Sequence, residues 1–161
     1  MFTNDILLKG KHATYADFLS KTSEQNDKSK KVAGVFETLY DVYIIGTVIG
    51  LYHGLKSPED KSSSDTKRIF ADKVIREQHN LLFVYRLVML IDNSVKTNEE
   101  KVARAFKEGE NKENIELFNS YARGGIEWLY EQFSLTANTK DEYLEKIYDI
   151  VSAFYDEVES I

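Results

Sequence analysis

The chain has 161 residues with no cysteine, one proline and eight glycines, and 21 basic against 27 acidic side chains give a net charge of −6. That length suits one ordinary domain. The lack of cysteine excludes disulfides, cysteine-ligated zinc, iron–sulfur clusters and thiol nucleophiles, and agrees with a reducing cytoplasm. A pI near 5.2 argues against a protein that coats nucleic acid over its whole surface, although a local basic patch on an acidic body stays compatible with it. Few breakers beside many Leu, Glu, Lys and Ala predict helices.

Residues 1–12 read as an N-terminal arm. Met1-Phe2-Thr3-Asn4-Asp5 has neither a basic start nor a long apolar run, so no secretory signal is expected. Thr14 is placed to cap a short helix over Tyr15–Lys21, and the polar stretch Ser23–Lys31 reads as a loop. A central apolar helix is expected over about 35–54, stopped by Gly54 and then by Pro58. The run Val35–Leu55 is long enough to span a bilayer at about 20 residues. Asp41, His53 and several tyrosines favour a buried core helix instead. After the loop-like stretch Lys56–Thr66, Asp65 or Thr66 caps a long helix reaching about Ser94. Asn98 caps a shorter one ending at Gly109, and Asn111 caps another to about Phe133. Thr139 and Glu142 form a capping box for the last helix, whose expected inner stripe is Tyr143, Leu144, Ile147, Ile150, Val151, Phe154 and Val158. No alternating run predicts a strand. The expected fold is an all-α, single-domain bundle of five or six helices.

Little in the sequence points to chemistry. His12, His53 and His79 form no i, i+4 pair, so no metal ligands are assigned. There is no phosphate-binding glycine loop and no serine-hydrolase elbow, so no catalytic residue and no cofactor are assigned. Asp41, Asp92 and Glu127 lie on or beside apolar faces, where a carboxylate is paired with a base or functional; structural pairing, with Arg76, Arg86, Arg104 and Arg123 as the plausible partners, is the favoured reading. A helical enzyme would need a cleft gathering Asp41, Glu77, His79, Asp92 and Arg123.

Gly46, Gly50 and Gly54, four apart, share one side of a helix and let another helix approach closely, within the monomer or between subunits of a homo-oligomeric scaffold. Gly124 and Gly125, inside a helix, cost up to about 1 kcal/mol each relative to alanine, so close packing or a ligand must offset them. Basic residues gather at Lys28, Lys30 and Lys31, and again at Lys67, Arg68, Lys73 and Arg76. At a helix N-terminus the second group suits a phosphate; interleaved Asp65, Asp72 and Glu77 favour a solvated face.

Three segments are similar to one family: Phe36-Glu37-Thr38-Leu39-Tyr40-Asp41-Val42-Tyr43 through Gly50-Leu51-Tyr52-His53-Gly54, then Leu81-Leu82-Phe83-Val84-Tyr85-Arg86-Leu87, then Phe118-Asn119-Ser120-Tyr121-Ala122-Arg123-Gly124-Gly125-Ile126-Glu127. The chain resembles the small accessory proteins encoded beside bacterial DNA phosphorothioation (dnd) clusters. The resemblance implies a cytoplasmic accessory protein of a DNA modification or restriction system, whose partner is DNA or another protein of the system; together with the basic cluster at Lys67–Arg76 it motivates a non-enzymatic interaction module. It makes Tyr121, Arg123, Gly124, Gly125 and Glu127 candidates for a shared functional or packing site. Lys67, Arg68, Lys73 and Arg76 are the candidate DNA contacts.

Overall fold

A computed structural model describes residues 2–21, 34–107, 109, 111–134 and 139–160. Among these residues the fold is mainly helical, with seven helices and one two-stranded antiparallel sheet. The loop expected over Ser23–Lys31, with its three lysines, lies outside them.

The N-terminal segment is not a loose arm. Phe2 and Leu8 are buried, and Ile6–Lys9 forms strand β1. Its partner is β2, Thr66–Ile69, with Ile6 opposite Ile69 and Lys9 opposite Thr66. Helix α1 (Lys11–Leu19) starts a turn before the expected cap. Its first amide, on Lys11, donates to Asp60 Oδ2 at 2.7 Å, so a distant loop caps the helix. That backbone bond holds the Asp60 carboxyl down at about 2.

Helix α2 spans Leu39–His53 rather than starting near Val35. Thr38 and Asp41 form a capping box, which fixes the start and accounts for Asp41. Val35 and Phe36 lie before it, and Phe36 bridges to Ser20 in parallel. Gly54 ends α2 in the left-handed region at φ 67°.

The long helix expected over about 66–94 is instead β2, then α3 (Ala71–Arg76), a break at Glu77 and α4 (Gln78–Ile91). Neither Pro nor Gly marks that break. Helix α5 (Asn98–Phe106) carries a capping box from Thr97 to Glu100, one residue before the expected cap. Helix α6 (Lys112–Ser134) is capped by Asn111, whose Oδ1 accepts from the Glu113 and Asn114 amides. Helix α7 (Lys140–Glu159) has the expected box from Thr139 and Glu142.

The core lies where α2 packs along α6, with α1, α4 and the sheet around them. Tyr43, Tyr85 and Phe118 form a buried aromatic cluster with Phe2, ring centroids 5.7–6.0 Å apart. Each such ring contributes on the order of 2–3 kcal/mol by burial. The apolar segment is therefore a core helix, but on one face only. Tyr40, Tyr43, Gly46 and Gly50 are buried, whereas Ile45, Val48 and Tyr52 are exposed. No helix among the described residues is long and apolar enough to cross a membrane.

Candidate functional site

The two glycine pairs meet each other. A Cβ on Gly50 would lie 2.1 Å from the Tyr121 carbonyl oxygen, and one on Gly125 would lie 1.7 Å from the Gly46 carbonyl oxygen. Carbon and carbonyl oxygen approach no closer than about 3.3 Å, so only glycine fits. Gly124 faces the Leu55 carbonyl, 2.4 Å from where a Cβ would sit. The helical cost of the Gly124–Gly125 pair is thus offset by backbone-to-backbone packing. Gly54, grouped with the ladder by spacing, is a helix stop with nothing within 4 Å of a Cβ position. The Gly46–Gly50 face is covered by α6 of the same chain, so it is not free to build an oligomer.

The rest of the Tyr121–Glu127 motif holds the chain as it leaves α2. The Ser57 amide donates to the Ser120 carbonyl at 3.0 Å, and Arg123 Nε donates to the Ser57 carbonyl at 2.8 Å. Ser57 Oγ donates to Glu127, which also pairs with Lys11 Nζ at 2.9 Å and accepts from His12 Nε2 at 2.7 Å. Arg123 also pairs with Glu116. Burial works to raise the Glu127 carboxyl, but the bonds from Ser57, Lys11 and His12 outweigh it and hold the group below its usual range. Burial lowers the His12 imidazole despite the neighbouring carboxylate.

Ser57, His12 and Glu127 are not a hydrolytic triad. Both Ser57 Oγ (3.4 Å) and Glu127 sit at His12 Nε2, while Nδ1 is buried with no hydrogen-bond partner. A triad needs the serine on one ring nitrogen and the acid on the other.

A second cluster surrounds Asp92, which is 2% exposed. Its carboxylate meets Lys56 Nζ at 2.6 Å, accepts from Tyr121 Oη at 2.7 Å, and has Arg104 at 3.6 Å and Ser94 beside it. Lys56 Nζ also lies 4.8 Å from the Tyr121 ring centroid. Burial opposes the charge, yet the bonds from Lys56, Ser94 and Tyr121 keep Asp92 well below the carboxylate range. Of the four arginines offered by the sequence, Arg104 reaches Asp92, whereas Arg76 pairs with Asp72 and Arg123 with Glu116. Glu127, by contrast, is served by Lys11 and His12.

No carboxylate cleft forms. Asp41 caps α2, Glu77 pairs with Lys73 at 2.9 Å, His79 is exposed, and Asp92 and Arg123 are bonded as described. Among the described residues no three His, Asp or Glu side chains are grouped to share a metal ion.

The basic quartet does not sit at one helix N-terminus. Lys67 and Arg68 are on β2, and Lys73 and Arg76 on α3. Each faces a carboxylate: Lys67 with Asp17 at 2.7 Å, Arg68 with Asp5 at 3.1 Å, Lys73 with Glu77, and Arg76 with Asp72 at 3.5 Å. Their positive charge is matched locally.

A larger apolar surface lies elsewhere. An apolar groove of about 580 Å³ runs between α2 and α7, lined by Val48, Ile49 and Tyr52 on one wall, Val151 and Val158 on the other, and Phe133 on the floor. Helix α7 is held to the body along one stripe. Tyr143 is buried, stacks on Phe133 and donates to the Phe133 carbonyl at 3.2 Å. Farther along, Tyr52 packs edge-on against Phe154, centroids 4.9 Å apart, and its hydroxyl donates to Glu157. The expected inner stripe of α7 therefore splits. Tyr143, Ile147, Ile150 and Phe154 pack on the body, while Leu144, Val151 and Val158 are exposed, with Tyr148 and Tyr155 beside them. Nothing in the helix pattern separates the two stripes, because both are apolar. Lys11, His12, Lys56 and Ser57 escaped sequence reasoning because they lie in an expected arm and a loop, and His12 meets Glu127 across 115 positions.

No curated protein and no solved structure matches this chain. Residues 15–159 match the family described as DNA sulphur modification system-associated protein 4. That span contains α2, the glycine crossing and α7, and the chain belongs to this dnd-associated family.

Proposed function

We propose that the chain is a non-enzymatic accessory subunit that works in the cytoplasm by binding a protein partner of the DNA sulphur modification system. The observation that carries this reading is the open apolar groove between α2 and α7, beside charged side chains that are paired within the chain. A contiguous row of exposed apolar side chains on a helical body is the kind of surface a protein partner covers. The local pairing of Lys67, Arg68, Lys73 and Arg76, on a chain of net charge −6, supports a protein over DNA. A role in bacterial defence follows if the partner belongs to the restriction arm of the system.

The test is co-expression with the modification and restriction proteins of the same cluster, followed by affinity purification. A stoichiometric complex supports the reading. Its absence against every protein of the cluster removes it. Direct DNA contact is the second reading, favoured by the exposure of Arg76 (70%) and Arg68 (53%). It predicts a salt-dependent DNA titration that weakens when all four cations are changed to alanine. A scaffold of several copies predicts concentration-dependent sedimentation.

A further inference from the structure

The outer face of α7 has a definite chemistry. Leu144, Tyr148, Val151, Tyr155 and Val158 follow one another in steps of four and three residues, the spacing of a coiled-coil seam. All five are exposed, Tyr148 at 72%. Val151 and Val158 also line the groove, so the seam continues across it to Val48 and Tyr52 of α2. Together they form an apolar trough with side chains of α2 on one wall and of α7 on the other.

Charge is distributed unevenly around this trough. Helix α7 carries seven acidic residues and two lysines. At about 100° per residue, Asp141, Glu145, Asp156 and Glu159 fall on the flank of the seam that faces solvent. All four are exposed, and among the described residues none has a cation within ion-pair distance. Helix α2 contains no Lys or Arg. Lys146 lies on the opposite side of α7, in the smaller pocket beside His53 and Trp128.

We infer that the trough between α2 and α7 docks an amphipathic helix of a partner protein whose apolar stripe is flanked by Lys and Arg. The inference rests on the protein-partner reading above and specifies the chemistry of that partner. Helix-in-groove docking supplies the apolar contacts, and the acidic rim selects a basic flank. The same rim disfavours the other occupants. Two copies packed seam to seam would bring two acidic rows together, and an anionic membrane surface or DNA would be repelled.

The test uses fluorescence anisotropy with three synthetic three-heptad peptides and the full chain. One peptide has Leu at a and d with Lys at e and g; the second has Glu in place of Lys; the third keeps Lys but has Ser in place of Leu. The first is expected to bind, and the second and third to bind at least about tenfold more weakly. Val151→Glu and Tyr148→Glu should weaken the first peptide by a similar factor, with circular dichroism verifying the helix content. The triple change Glu145→Lys, Asp156→Lys and Glu159→Lys should shift preference to the Glu peptide. Equal binding of the Lys and Glu peptides, or affinity unmoved by Val151→Glu, overturns the inference. So does a concentration-dependent dimer that Val151→Glu abolishes, or tighter binding to vesicles containing anionic lipid than to the peptide. A cluster protein that co-purifies equally with wild type and with the Val151→Glu, Tyr148→Glu double variant overturns the inference while leaving the protein-partner reading standing. The Lys peptide binding as specified, with no cluster protein co-purifying, supports the docking chemistry and removes the system partner.

Discussion

Helix α2 has two sides with opposite fates. Toward α6 it presents glycines, and the two backbones touch through Gly46, Gly50 and Gly125. Toward α7 it presents Ile45, Val48 and Tyr52, with an apolar trough left open between the helices. Both sides are apolar in composition. They differ in whether the facing element offers backbone or side chain, and therefore in how closely it approaches. Small residues make a junction that tolerates no added atom. Large ones, met by a helix that packs along one stripe, leave room. The first side is closed by backbone contact, and the second keeps apolar side chains exposed.

The largest effect should come from the first side. Gly125→Ala puts a methyl 1.7 Å from a backbone oxygen that no rotamer change relieves. The expected cost is about 3 kcal/mol or more, a fall of roughly 6–12 °C in the melting temperature by differential scanning calorimetry. Gly54→Ala, strained only by its left-handed φ, should cost about 1 kcal/mol. Near-equal losses for the two would sink the distinction between packing glycine and helix stop.

Next comes the polar buttress of the same junction. Asp92→Ala leaves the buried Tyr121 hydroxyl and the Lys56 ammonium without their acceptor. Urea unfolding should show a loss of about 2–3 kcal/mol. Acid should reach this region in two stages. His12 binds a proton less readily folded than unfolded, so its contribution is complete above about 6.5 and falls as the pH drops through its lowered folded value. Glu127 and Asp92 are also depressed, so their contributions are present above the ordinary carboxylate range and decline only below it. Urea midpoints should fall between pH 7 and 5.5, then again below pH 4. His12→Gln should flatten the first decline and keep the second.

Much of the junction was legible because its signals are local. The left-handed stop at Gly54, the Asn111 cap and the Thr139–Glu142 box are read from adjacent residues. The paired glycines at 124 and 125 announced a close approach, although not to which helix. What was hidden depends on distant partners. Strands of four residues are too short to show alternation, and β1 is made a strand by β2, about sixty positions away. Asp60 caps α1 from across a loop, so the helix begins where no local cap predicts it. Thr38–Asp41 is local, but Val35 and Phe36 continue the apolar run ahead of it and disguise the start. The split stripe of α7 is hidden for another reason. Periodicity reports which residues are apolar, and an apolar helix face looks the same whether its cover is in the same chain or in another protein.

The smallest expected effect sharpens the comparison most. Tyr148→Ser and Leu144→Ser remove exposed side chains, so each should change stability by less than about 0.5 kcal/mol. Tyr143→Ala removes the buried anchor that stacks on Phe133. If α7 opens as its own unit, that change should speed amide exchange along α7 and leave exchange in α2 and α6 almost untouched. A partner seated in the trough should reverse the pattern, because binding selects the docked helix and slows its opening by mass action. Exchange in α7 that tracks global unfolding before any partner is added would make the trough part of the core. The free energy of recognition would then have no loosely held element to act on.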